Sequence, residues 1–179
     1  MKTISKVKNA ILVVAIAIVA SMAVSVQSGC NVYKFKDFSI PDSIKTVKIN
    51  FVENKARYIN PQLSQKLTEK IRQKVVSQTR LSQTNNESAA DWIIDATITQ
   101  YDFSTSAISG QREAGNRLTV AIHVVITDQR ADNKTTPYDV SRNFEFSATQ
   151  SIQQAEAALA DEMVRSLTDD IFNRIFSNW

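Results

Sequence analysis

The stretch "RLTVAIHVVIT", Arg117 to Thr127, puts Leu118, Val120, Ile122, Val124 and Ile126 at every second position, with polar or smaller residues between them. Successive side chains of a strand point to opposite faces, so this alternation predicts a strand with one face buried and the other wet. On a helix the same five residues would scatter around the axis. His123, the only histidine, falls on the face opposite the apolar set and reads as a partly exposed sheet residue.

The same alternation recurs on either side. Downstream, "VSRNFEFSA" sets Phe144, Phe146 and Ala148 on one face. Upstream, "DWIIDATITQY" alternates Trp92, Ile94, Ala96 and Ile98 against Asp95, Thr97 and Thr99. Earlier still, "SIKTVKINFVE" sets Val47, Ile49 and Phe51 against Lys48 and Asn50. Four strands are therefore predicted. Two segments instead follow a helical period. Asn60 and Pro61 are a good N-cap and first helical residue, and Leu63, Leu67, Ile71 and Val75 follow as one stripe. Lys66, Lys70, Arg72 and Lys74 stay off that stripe and give a basic outer face. Ser151 caps the second helix, whose stripe is Leu159, Met163, Leu167, Ile171 and Ile175, flanked by Ala155 and Phe172.

The order β-α-β-β-β-α predicts an α+β domain of two layers, with both helices on one face of a four-stranded mixed sheet. The β-α-β start implies a right-handed crossover and the later strands a meander. Two polar intervals, Phe103 to Asn116 and Asp128 to Tyr138, read as long loops, the kind of segment that carries binding residues. No repeat or linker divides residues 43–179, which read as a single domain.

The chain begins with Lys2, Lys6 and Lys8, followed by an uncharged run from Ala10 to Val26 and then Ser28-Gly29-Cys30. A basic start, an apolar stretch and small residues at its exit describe a secretion signal over residues 1–29. A retained transmembrane anchor is the alternative, since seventeen residues lie at the lower edge of what spans a bilayer. Ser28-Gly29-Cys30 resembles a bacterial lipobox, with Gln27 where leucine is usual, and marks Cys30 as a lipid attachment site. Residues 30–42 would then be the tether. Cys30 is the sole cysteine, so no internal disulfide can form and the core must hold the domain.

The net charge of +3 disappears once the three leading lysines are set aside, leaving eighteen basic and eighteen acidic residues. That balance argues against nucleic-acid binding. The distribution is uneven: residues 30–80 hold eleven bases and four acids, the remainder seven and fourteen. Either the domain presents a basic end to an anionic partner, or the two halves neutralise each other in the fold. No metal cluster, nucleophile–base grouping or phosphate-binding glycine pattern is visible, and Asp169-Asp170 reads as a solvated face. The chain reads as non-enzymatic, without cofactor or metal.

The segments "SGCNVYKF", "IPDSIKTVKINFVENKARYINPQLSQKLTEKI", "SQTRLS", "NRLTVAIHVVITD" and "LTDDIFNRIFSNW" resemble the LptE family of lipopolysaccharide-assembly lipoproteins in its Bacteroidetes form. The resemblance implies an outer-membrane lipoprotein that plugs the LptD-type β-barrel translocon, assists its assembly and helps deliver lipopolysaccharide to the outer leaflet. The alternative is a free-standing envelope lipoprotein that carries a lipid or amphiphile without a barrel partner. No family motif assigns contact residues. Arg112, Arg117, Arg130 and Lys134, in or beside the two polar intervals, are the candidate contacts for barrel carboxylates or lipopolysaccharide phosphates.

Overall fold

A computed structural model describes residues 40–105 and 115–177, all within one compact unit, Asp37–Trp179. In chain order its elements are β1 (Thr46–Ile49), β2 (Glu53–Asn54), α1 (Pro61–Gln78), β3 (Ser82–Gln83), a 3₁₀ turn (Glu87–Ala89), β4 (Trp92–Thr105), β5 (Gly115–Asp128), β6 (Lys134–Ser147) and α2 (Ile152–Phe176). The fold is α+β, two helices on a mixed sheet. The sheet has six strands where four were predicted, in the order β3-β1-β4-β5-β6, with β2 pairing β4 beyond the end of β1. The two additional strands are two residues long, too short for any period to show.

β5 is the centre of the meander, antiparallel to β4 on one side and to β6 on the other. Leu118, Val120, Ile122, Val124 and Ile126 are all buried. They share one core with Leu67 and Ile71 of α1, Phe144 of β6, and Leu167 and Ile171 of α2. The opposite face of β5 is only half covered and carries His123 and Arg117. Both helices thus pack on one side, and the other side stays wet.

Two departures from simple alternation change which residues face inward. In β4 the register slips between Ile98 and Gln100, a bulge at Thr99. Ahead of it Trp92, Ile94, Ala96 and Ile98 point into the core; beyond it the odd residues Tyr101 and Phe103 do so. One extra residue reverses the side on which every later side chain falls. In the first strand, pairing stops after Ile49 and resumes at Glu53, so Val52 is buried and Phe51, predicted to face inward, is 56% exposed.

The predicted long loop from Asp128 to Tyr138 is a turn of residues 129–133, with Asp132 and Asn133 in the left-handed region at φ 52° and 58°. Asp and Asn tolerate that conformation better than most side chains, so β5 and β6 continue to the turn and absorb Pro137 and Tyr138. The other interval also shortens, since β4 reaches Thr105 and β5 begins at Gly115; residues 106–114 lie outside the described residues.

The helix starts are as the sequence implies. Asn60 Oδ1 accepts from the amides of Gln62 and Leu63, and Ser151 with Gln154 forms a capping box.

Candidate functional site

Each end of the domain gathers polar side chains around one carboxylate. At the end where α1 and α2 begin, Glu156 accepts from Tyr101 Oη at 2.8 Å, from Tyr58 Oη at 3.0 Å and from Asn60 Nδ2 at 3.0 Å. Tyr58 stacks on Tyr101 with centroids 5.4 Å apart, and Phe103 packs edge-on to both. Burial raises the Tyr101 pKa, and its hydrogen bond to Glu156 raises it further. For Tyr58 the bond to Glu156 is the leading cause of a rise. Beside this cluster lies a groove of about 300 Å³, lined by Tyr58, Ile59, Leu63, Lys66, Ala160 and Met163 among others.

At the other end, where β4 starts and the β5–β6 turn sits, Asp91 is buried. Its carboxylate accepts from the amides of Lys45 and Thr46 at 2.7 and 2.9 Å and from Arg130 Nε at 2.6 Å. Burial alone would raise its pKa, but the two amides and the guanidinium together outweigh that and lower it to about 2. A third charged feature lies along the side of the domain. A groove of about 700 Å³ runs between β6 and the last turns of α2, lined by Tyr138, Val140, Arg142, Asp170, Arg174 and their neighbours.

The four candidate cations do not converge. Arg117 sits near the start of β5 on the open sheet face, 3.3 Å from Glu145 of β6. Arg130 and Lys134 flank the turn at the far end, and fourteen residues of strand span about 45 Å. Arg130 is committed to Asp91, whereas Lys134 is exposed and makes no ion pair among the described residues. Arg112 lies outside the described residues.

The uneven charge of the two halves is partly cancelled inside the fold. Lys48 pairs with Glu87, Lys66 lies 3.9 Å from Asp161, and Lys74 pairs with Asp169 and lies over the Phe172 ring. Arg72 donates to the Ile49 carbonyl. Lys74 and Arg72 are therefore built into the structure, and the outer face of α1 is less basic than its sequence suggests. Asp169 and Asp170, predicted as a solvated face, are ion-pair residues. About 100° apart on the helix, they reach different elements: Asp169 meets Lys74 of α1 and Asp170 takes both a 2.6 and a 2.7 Å bond from Arg142 of β6.

His123 Nδ1 lies 2.7 Å from Asp139 on the open face, and no hydroxyl bonds to this histidine among the described residues. Nor does any group of three or more His, Cys, Asp or Glu among them suit a metal ion. The geometry offers surfaces and grooves for binding.

Sequence reasoning missed the Glu156 cluster. Asn60 was visible as a cap, but Tyr101 and Glu156 lie 41 and 96 residues from it, and no local pattern links them.

Comparison with known proteins decides the family. Residues 44–175 match the family described as LptE, lipopolysaccharide-assembly. The chain belongs to the LptE family. No curated protein matches it. Among solved structures it is similar to an uncharacterized lipoprotein B from Nitrosomonas europaea (15% identity, 80% of this chain and 86% of that one, TM-score 0.48). It is also similar to a minor lipoprotein from Acinetobacter baumannii (13%, 75% and 97%, TM-score 0.45) and a hypothetical protein from Chlamydia trachomatis (12%, 75% and 99%, TM-score 0.47).

Proposed function

We propose that this LptE-family chain is an outer-membrane lipoprotein, anchored through an acylated Cys30, that plugs an LptD-type β-barrel, assists its assembly and helps pass lipopolysaccharide to the outer leaflet. The family match over residues 44–175 carries the reading. The packing is compatible with it. The described grooves are surface clefts, and the open sheet face is polar, with Arg117–Glu145, Thr119–Asn143 and His123–Asp139 pairs crossing from β5 to β6. A wide barrel lumen is itself polar, so such a face suits it. A free-standing carrier would instead need an enclosed apolar chamber. No helix among the described residues is long and apolar enough to cross a membrane, and attachment is assigned to the lipid on Cys30. More than one acyl chain there would give stable anchoring. The role is binding and assembly, without catalysis.

Within this reading Arg112, Arg117, Arg130 and Lys134 are offered to barrel carboxylates or lipopolysaccharide phosphates. Arg117 and Arg130 already hold internal partners, so Lys134 is the cation whose reversal should disturb binding without disturbing the fold. The test is depletion of the protein in its own cells, with surface lipopolysaccharide and mature barrel measured together. Loss of both supports the proposal. Unchanged surface lipopolysaccharide with normal barrel would remove the translocon role and leave the carrier. Mass analysis of the membrane-extracted chain checks the anchor: a diacylglyceryl-modified Cys30 at the amino terminus is expected, and an unmodified Cys30 would contradict it.

A further inference from the structure

The two edges of the sheet are unlike. One ends in β3, two residues long, and an edge that short offers a partner almost nothing to pair with. The other is β6, fourteen residues long, hydrogen-bonded to β5 on one side and, among the described residues, to no strand on the other. Alternate residues of β6 therefore direct their N–H and C=O groups away from the sheet. Its surface carries the devices that discourage indiscriminate pairing: Lys134, Pro137, Asp139, Arg142 and Glu145. Pro137 interrupts only the first part, and Tyr138 to Ser147 runs without another proline.

The groove of about 700 Å³ lies directly beside this edge. Its walls are Tyr138 to Arg142 of β6 and, on the other side, Asp170, Asn173, Arg174 and Ile175 of α2 with Ser177 just beyond it. The lining is more polar than apolar, which suits a peptide backbone better than an acyl chain. Arg142 is occupied by Asp170, but Arg174, in the same wall, makes no ion pair among the described residues. An exposed strand edge with a cleft between it and a helix is the geometry in which an extended peptide adds as a further strand. Its backbone pairs with the edge, and alternate side chains enter the cleft.

We propose that β6 is a docking edge: an extended segment of the barrel partner adds antiparallel or parallel to Tyr138–Ser147, and its alternate side chains, an acidic one facing Arg174, fill the cleft against α2. The partner's identity rests on the function proposed above; the strand chemistry rests on the edge and cleft.

Proline separates the two sides of β6. Ser141 and Arg142 point their N–H groups to opposite sides, so of Ser141→Pro and Arg142→Pro one breaks the pairing with β5 and the other removes an outward donor. The outward variant is recognised by thermal unfolding of the detergent-solubilised full chain within about 5 °C of the unmodified protein, a range set by roughly 1 kcal/mol for a chain of this size. The experiment is affinity purification of the lipidated full chain from outer membranes, with a photo-cross-linking residue in place of Asn143 as a second readout. The expected result is barrel recovery with the unmodified chain, at least tenfold less with the outward variant, and a cross-link from position 143 to the barrel. Equal recovery with the outward variant overturns the docking edge and leaves the translocon reading intact. Recovery of no barrel by the unmodified chain overturns both. A cross-link joining two copies of this chain also overturns the proposal, since the edge would then serve self-association.

Discussion

Asp91 and Glu156 each anchor one end of this domain, and their donors differ in kind. Asp91 is closed over by two backbone amides and a guanidinium, and these depress its pKa to about 2. Glu156 is met by two phenols and a side-chain amide, all neutral, and in turn it raises the pKa values of both tyrosines. One end is therefore held by a charge that must persist and the other by hydroxyls that must stay protonated. Fixed backbone donors and a charged partner hold Asp91, whereas Glu156 is held by side-chain donors alone.

A substitution in the shared core should weaken both ends alike. Ile122, 1% exposed in the middle of β5, is such a point. Ile122→Ala should destabilise by roughly 2–5 kcal/mol, measured by denaturant unfolding, with no change in how stability depends on pH. A loss below about 0.5 kcal/mol, the range of surface positions, would place Ile122 outside the core.

Next in size is Asp91→Asn, which confronts two amides and Arg130 with an amide that can itself only partly accept. A loss of about 1–3 kcal/mol is expected at neutral pH. The sign with pH is fixed by the direction of the shift. Asp91 is depressed in the fold, so its contribution is present above the unfolded value of about 4 and disappears as pH falls toward 2. The unmodified protein should lose stability through that window, and the Asp91→Asn variant should lose less. Equal acid slopes would show that Asp91 is not the acid-sensitive clamp.

The Glu156 end should fail from the other side. Tyr101 and Tyr58 are raised, so their contribution is intact below the unfolded tyrosine value of about 10 and is lost as pH climbs beyond it. Glu156→Gln should cost about 1 kcal/mol and should lower the pH at which the tyrosines ionise, followed by phenolate absorbance. Tyrosine titration unchanged in that variant would break the contrast between the two ends.

The smallest effect is expected at Arg142→Ala. Its pair with Asp170 is bidentate but partly exposed, worth about 0.2–1 kcal/mol. A larger loss would mean that β6 depends on α2 for its place in the sheet.

How much of this was legible in the sequence follows from the range of each interaction. β5 and both helix stripes are local periodic patterns enforced by burial, and the predicted apolar residues from Leu63 to Ile175 on them lie in the core. Phe51 and the bulge at Thr99 were not legible, because a register change leaves composition untouched while reversing the faces. The two-residue strands β2 and β3 exist only through their pairing with β4 and β1. Of the candidate site, the residue types were readable but their assembly was not. Arg130 resembles any exposed turn arginine until Asp91, 39 residues earlier, is seen to hold it. Glu156 resembles any helix-surface acid until Tyr58 and Tyr101 arrive from distant segments.

The role proposed for this chain is that of a plug inside a barrel translocon. The most direct measurement is cross-linking of the lipidated protein in intact outer membranes from the open sheet face, with a photo-reactive residue in place of Thr119, followed by identification of what is attached. A large β-barrel protein of the LptD type joined to the chain is expected. Attachment only to lipid or to soluble envelope proteins, in membranes that contain such a barrel, would contradict it.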